Sequence, residues 1–305
     1  MDQLQKSMLE KIADLHSVPE GAYNIRYNGK TDSRNTTANI DIVTKQDVQG
    51  IDIIIKPGTK NESMHIPVIL SESGLQDMVY NDFYVGEDAD ITIVAGCGIH
   101  NCGVDTSKHE GIHTFHIGKN AKVKYIEKHY GEGDGEGKNV LNPTTVVHID
   151  EGGYMEMEST QIKGVDSTIR DTKADLKAGA KLVIKEKIMT HGQQVAETNF
   201  EVELNGEDSS ANVISRSVAK GDSKQIFNSK ICGNNRCYGH TECDAILMDK
   251  GRVVAVPALE ANDLDASLIH EAAIGKIAGD QLIKLMTLGL TEQEAEAQII
   301  NGFMK

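Results

Sequence analysis

The segment CGNNRCYGHTECD, Cys232 to Asp244, holds three of the chain's five cysteines and a histidine. Thiolates are soft ligands suited to zinc, copper(I) or iron–sulfur centres. The Gly-Asn-Asn turn after Cys232 permits the bending that convergent ligands need. The same cysteines also admit a reading as small apolar side chains of a core. A thiolate at Cys243 would be a nucleophile, and a neighbouring His240 or a bound iron would lower its pKa.

A second concentration lies upstream. CGIHNC supplies Cys97, His100 and Cys102, and His109, His113 and His116 follow, so these six are candidates for a second metal site. Within it, HEGIH (His109 to His113) satisfies the zinc-peptidase pattern and supports an alternative function, a zinc- or iron-dependent hydrolase. That chemistry needs both histidines one helical turn apart. The text around them alternates like a strand, where positions four apart lie about 13 Å from each other, too far to share one ion. The glycine-rich GEGDGEGKN (Gly131 to Asn139) lacks the spacing and the Ser or Thr of a phosphate loop, so ATP chemistry must come from a partner. Aromatic residues make up only 4% of the chain, too few for the stacking platforms of a polysaccharide enzyme.

Lys plus Arg number 31 against 46 Asp plus Glu, a net charge of −15, which disfavours nucleic acid and anionic membrane as partners. The first sixteen residues, MDQLQKSMLEKIADLH, space their apolar residues as an amphipathic helix does and lack the continuous run of a signal or a membrane span. An odd cysteine count without an export signal predicts a cytoplasmic protein with reduced thiols.

The elements that must position these residues are strands. A phrase of apolar residue, polar turn and alternating strand recurs at Val85, Ile117, Ile149, Leu176 and Leu204, a period near thirty with no helix between. Such a period predicts a mainly β chain, a β-solenoid whose coils stack over a shared core; a β-sandwich is the rival. The predicted organisation is an N-terminal helix (1–20), a β-helix core (21–261) and a C-terminal helical subdomain (262–305). In the last part Asp280 is the expected N-cap of a first helix, Gly289 its stop, and Thr291 with Glu294 the capping box of a second. This hairpin would cover an open sheet edge and offer a docking surface.

The segment HEAAIGKIAGDQLIKLMTLGLTEQEAEAQIINGFM (His270 to Met304), with ECDAILMD (242–249) and SRSVAK (215–220), resembles the SufB/SufD family of SUF-type iron–sulfur assembly scaffolds. The likeness covers roughly residues 80–305, and the short chain looks like a minimal-system SufB member. The resemblance implies a right-handed parallel β-helix with a C-terminal helical subdomain. It implies pairing through the β-helices, as a homodimer or with a SufD-like subunit, and docking of a SufC-like ABC-type ATPase on the C-terminal helices. It also implies a sulfur donor, apo-protein recipients and an iron–sulfur cluster, [4Fe-4S] in type. Cys243 matches the family's sulfur-accepting or cluster-binding cysteine, Glu271 a glutamate ligand and His270 a histidine at the same interface. Cys232 and Cys237 are not carried over from the family; on the sequence alone one or the other would join Cys243 as a cluster thiolate. So read, the chain is an assembly scaffold without turnover of its own.

Overall fold

The computed structural model describes residues 2–305. Helix α1 (Gln3–Ala13) is closed at its start by a reciprocal capping box between Asp2 and Gln5. Strands β1 (Ala22–Tyr27), β2 (Lys30–Asn35), β3 (Ile40–Thr44), β4 (Gly50–Ile55), β5 (Lys60–Leu70), β6 (Gln76–Val85), β7 (Asp90–His100), β8 (Ser107–Ile117), β9 (Lys122–Glu132) and β10 (Asn139–Leu141) follow. Then come β11 (Thr144–Ile149), β12 (Tyr154–Lys163), β13 (Ser167–Leu176), β14 (Lys181–Thr190), β15 (Val195–Leu204), β16 (Ser209–Ala219), β17 (Lys224–Gly233), β18 (Cys237–Leu247), β19 (Arg252–Ala261) and β20 (Ala266–Gly275). Helices α2 (Gly279–Thr287) and α3 (Glu292–Phe303) end the chain.

The strands form two sheets of ten. One runs β2-β1-β5-β7-β9-β12-β14-β16-β18-β20, the other β19-β17-β15-β13-β10-β8-β6-β4-β3 with β11 between β13 and β8. From β5 onward every pairing is parallel, so the chain is a β-solenoid whose coils add one strand to each sheet. The recurring phrase of the sequence is the corner of each coil. It needs one left-handed residue, and Asp88, Asn120, Gly152, Gly179 and Asp208 take it, residue types that tolerate positive φ. Corner amides continue the ladder from coil to coil, Asn234 Nδ2 donating to Asn205 Oδ1 and Asn262 Nδ2 to Asn234 Oδ1.

Alternation then sorts side chains by parity. On β7, Ile91, Ile93, Ala95, Cys97 and Ile99 face the interior, and each fully buried aliphatic side chain contributes about 1.5–3 kcal/mol. α1 lies outside this sheet, where glycine permits close approach: a Cβ at Gly96 would stand 2.3 Å from the Ile12 carbonyl oxygen.

The sheet runs on past residue 261. β20 carries the segment 266–275 as a tenth strand, and helix begins only at Gly279. The capping box Thr291–Glu294 forms, and Gly289 takes φ +96° after α2. Asp280 is not the N-cap; Ala278 holds that position without a side-chain hydrogen bond, and Asp280 sits inside the first turn, where its charge complements the helix dipole.

The interior also holds charge. Arg170 Nη1 meets Glu127 Oε2 at 2.5 Å, its Nη2 reaches His129 Nδ1 at 3.0 Å, and its Nε lies 3.5 Å from Glu186 Oε1 without hydrogen-bond geometry. Tyr125 OH donates to Glu127 and contacts His113 Nδ1 at 2.9 Å. Burial pushes the His113 pKa down to about 4, and burial lowers His129 and His65 as well. Between about pH 4 and 6.5 the unfolded chain binds the proton that folded His113 refuses, so stability falls as pH drops through that window. For His113 the expected loss is on the order of 3 kcal/mol. Thermal unfolding followed from neutral pH to pH 4 should show a falling midpoint, flattened in His113→Gln; a midpoint independent of pH would contradict the neutral buried imidazole.

Candidate functional site at the terminal coil

Cys243 lies on β18 with its side chain in the core, 1% exposed, paired across the ladder with Ser215 and Ala272. Burial first, then Glu186 and Asp244, push its thiol up to about 12. His240 does not lower it: parity puts His240 on the opposite face of β18, so that part of the sequence reading is corrected. On that outer face the His240 imidazole is oriented by Nδ1 against Asn212 Oδ1 at 2.9 Å, and its Nε2 stands 3.7 Å from Glu271 Oε2. Glu242 completes the group. The ligand atoms of His240, Glu242 and Glu271 lie within 4.8 Å of one another, the one such trio among the described residues. A nitrogen with two carboxylates is a hard donor set suited to Fe²⁺, Mn²⁺ or Zn²⁺, and a held Nδ1 is how protein metal sites orient a ligating imidazole. Burial and a hydrogen bond with Asp244 raise Glu242 above its usual range, outweighing the opposing charge of Arg216.

His270 belongs to the inner face of β20, opposite Thr241. Its Nδ1 is buried and unpartnered, an orphan that a metal would satisfy. Strand spacing and rise put the Cα atoms of His270 and Cys243 about 8 Å apart on one face. The same two strands therefore carry a soft donor and an orphaned imidazole inside, and hard donors outside.

The other cysteines do not converge with Cys243. Cys232 points outward from β17, 3% exposed, its Sγ 3.6 Å from Glu260 Oε2, and burial with the neighbouring Glu203 pushes it up to about 11. Cys237 faces inward at the start of β18, six residues or about 20 Å along the strand from Cys243. A single three-thiolate centre from Cys232, Cys237 and Cys243 is thus not formed within one chain.

The upstream group is divided among three places. Cys97, His109 and His113 face the interior, where His109 Nδ1 is held by Asp77 and His113 by Tyr125. His116 is outside, stacked between Tyr84 and His148. His100 and Cys102 pair at the surface, Sγ to Nε2 3.1 Å. The six residues form no common metal site. HEGIH is strand, which sends Glu110 to the face opposite both histidines, so the geometry a zinc peptidase requires is absent there.

Sequence reasoning missed Glu242 as a ligand and the whole buried network. Parity carried the signal: Tyr125, Glu127 and His129 share the inward register of Val123.

Both sheets end openly here. β19 and β20 are unpaired on their outer edges, ten residues each, with Val254, Val256, Leu259, Ile269 and Ile274 all exposed. A long apolar edge of this kind is a template for pairing. α2 beyond it buries no residue and exposes Ile283 and Met286, with Leu288 exposed at its C-cap. No helix among the described residues is long and apolar enough to cross a membrane.

Comparison with known proteins places the chain in a family. Residues 71–303 match the family described as SUF system FeS cluster assembly, SufBD core domain. An iron-sulfur cluster assembly SufBD family protein of Methanocaldococcus jannaschii is 32% identical over 257 residues, 83% of this chain and 79% of that one. One from Archaeoglobus fulgidus is 31% identical over 262 residues, 85% of this chain and 69% of its own. One from Pyrococcus horikoshii is 25% identical over 301 residues, 97% and 84% of the two chains. With β6 through α3 inside the matched span, the chain belongs to the SufBD core family of the SUF iron–sulfur cluster assembly system.

Proposed function

We propose that the chain is a scaffold on which iron and sulfide are joined and released at the terminal coil. The observation that carries this reading is the arrangement of β18 and β20: Cys243 and the orphaned His270 inside, His240, Glu242 and Glu271 outside, beside two unpaired edges. Iron is the substrate of the outer trio; the Cys243 thiolate attacks the terminal sulfur of a donor persulfide, the donor leaves as its thiolate, and a two-electron reductant then releases the transferred sulfur to the iron as sulfide. The finished cluster, [4Fe-4S] in type, takes Cys243 and His270 with Glu271 as the weaker oxygen ligand lost first on transfer.

In the closed coil Cys243 is sealed and its thiol is far from ionised at neutral pH, so it neither attacks nor ligates until the coil opens. Opening also brings the two faces' ligands within reach of one cluster. The last coil is the place for such motion, since only one neighbour supports each of its strands. An ABC-type ATPase docked on α2 and α3 supplies the work. The C-terminal segment is a suitable lever because its far end returns to the solenoid, Lys187 Nζ donating to the Lys305 carbonyl oxygen at 2.7 Å.

A second copy, or a SufD-like subunit, pairs along β19 and β20. The test is Val254→Lys with Ile269→Lys, exposed positions whose charge blocks edge pairing while leaving the core untouched. Sedimentation should show the wild type as a dimer and the variant as a monomer that unfolds at nearly the same temperature and gains no visible cluster absorption on anaerobic reconstitution. A dimeric variant, or a monomer that assembles clusters normally, would rule out the paired edge as the assembly interface.

A further inference from the structure

We propose that Cys102 is a base-activated nucleophile that takes sulfane sulfur from a cysteine persulfide borne on another protein. Among the five cysteines it is the exposed one. Its Sγ lies 3.1 Å from His100 Nε2, and His100 Nδ1 lies 3.3 Å from Glu132 Oε1. Glu132 is itself anchored: its Oε2 accepts from Lys11 Nζ at 2.5 Å and from Tyr130 OH at 2.9 Å. With the Nδ1 proton directed at the carboxylate, the Nε2 lone pair faces the thiol. Nucleophile, base and orienting group within hydrogen-bond reach is the arrangement of cysteine nucleophiles generally. Lys11 arrives from α1, so the orienting carboxylate is tied to the packing of the N-terminal helix. The Asp134 carboxylate stands on the solvent side, held below its usual range first by its hydrogen bond with Cys102.

The thiol sits on a fixed, protruding turn. Asn101 Nδ2 donates to the Asp105 carbonyl oxygen, Gly103 N to Asn101 Oδ1, and Gly137 N to the Gly103 carbonyl oxygen. A rigid exposed turn is open to a group carried on a macromolecule. The choice of sulfur as the electrophile rests on the assembly reading above, which requires sulfur to enter the chain while Cys243 is sealed.

The step is balanced without an external oxidant. Nε2 takes the Cys102 proton, the thiolate attacks the donor's terminal sulfur, and the donor's S–S bond breaks with its electron pair leaving on the donor thiolate. The imidazolium then returns the proton to that thiolate, leaving a persulfide on Cys102 and a thiol on the donor. Five strand spacings, about 24 Å, separate β7 from β18, so this acceptor is chemically separate from the Cys243 centre.

The test treats the full chain, without oxygen, with glutathione persulfide as the probe and locates the added sulfur by peptide mass. Cys102 should label first. His100→Ala should slow its initial rate about 100-fold, the order a positioned general base supplies, and its rate should climb steadily with pH where the wild type levels off. The groups facing the imidazole and thiol are Lys11 from α1, Tyr130 and Glu132 from β9 and Asp134 from the following loop. Glu132→Gln, which keeps the shape, should change the pH profile in the same direction with a smaller loss. Unchanged rates in both variants, or label spread evenly over all five cysteines, would overturn the proposal. The two readings fail separately: Cys102→Ser should lose the surface label yet still bind iron at the terminal coil, and a wild type that labels at Cys102 but never holds iron would sink the assembly reading alone.

Discussion

Replacing Cys243 by alanine is expected to reduce the iron and acid-labile sulfide retained after anaerobic reconstitution to background, while the chain stays folded and paired. The sulfur is the one soft donor on the inner face of the last two strands near His270. Iron–sulfur centres are held chiefly by thiolates, and the remaining nitrogen and oxygen donors cannot hold bridging sulfide by themselves. Folding should survive, because a small cavity replaces one sulfur in a coil that is already open at its end. Loss of one buried atom costs on the order of 1 kcal/mol. Glu271→Gln and His240→Ala should instead leave sulfide-dependent colour at partial yield and weaken Fe²⁺ binding in the absence of sulfide, because both belong to the outer trio and Glu271 is the weaker oxygen ligand that the cluster gives up first. Equal cluster content in Cys243→Ala and wild type would remove Cys243 from the site.

The largest expected effect on stability lies elsewhere, at Arg170. Its guanidinium is buried between Glu127 and Glu186, and removing it strands two carboxylates in the solenoid interior. Burial alone would raise Glu127, but His129 and Arg170 overcome that and hold it well below the usual carboxylate range; Glu186, with Arg170 as its one cationic partner, is raised by burial. Breaking such a pair from one side costs about 3–5 kcal/mol, a large share of a domain's total stability. Arg170→Met should therefore unfold at much lower denaturant concentration. Without its cation Glu127 moves up in pKa, so the deficit is greatest at neutral pH and shrinks on acidification as the orphaned carboxylates take protons. Adding Glu127→Gln to Arg170→Met should recover part of the loss, the coupling that a double-mutant cycle reads. A single Arg170→Met variant as stable as the wild type would mean that the interior charges do not depend on one another.

The solenoid was legible because each coil repeats one physical necessity, a left-handed corner residue before an alternating strand, and Asp88, Asn120, Gly152, Gly179 and Asp208 print that necessity in the text. β20 was not, because a terminal strand buries little: Ile269 and Ile274 remain exposed, and the alternation that marks inner strands fades. Chemistry-bearing residue types were easy to see, but nearness in sequence is a poor guide to nearness in a strand. Cys232 and Cys237 fall on opposite faces across a corner, and His240 and Glu242 turn away from Cys243 because their parity differs. Glu271, grouped with Cys243 on sequence, stands in the closed coil beside Glu242 and His240 on the outer face. The chain's family resemblance gave the residues, and only the sheet register gives their faces.

That register makes the central claim testable in one measurement: iron and acid-labile sulfide determined per chain on protein purified without oxygen. An assembly scaffold should carry iron and inorganic sulfide in equal amounts, well below one cluster per chain if two chains share each site, and should lose both together on chelation. A colourless chain that carries zinc, or iron with no sulfide, would contradict the claim that the terminal coil joins the two.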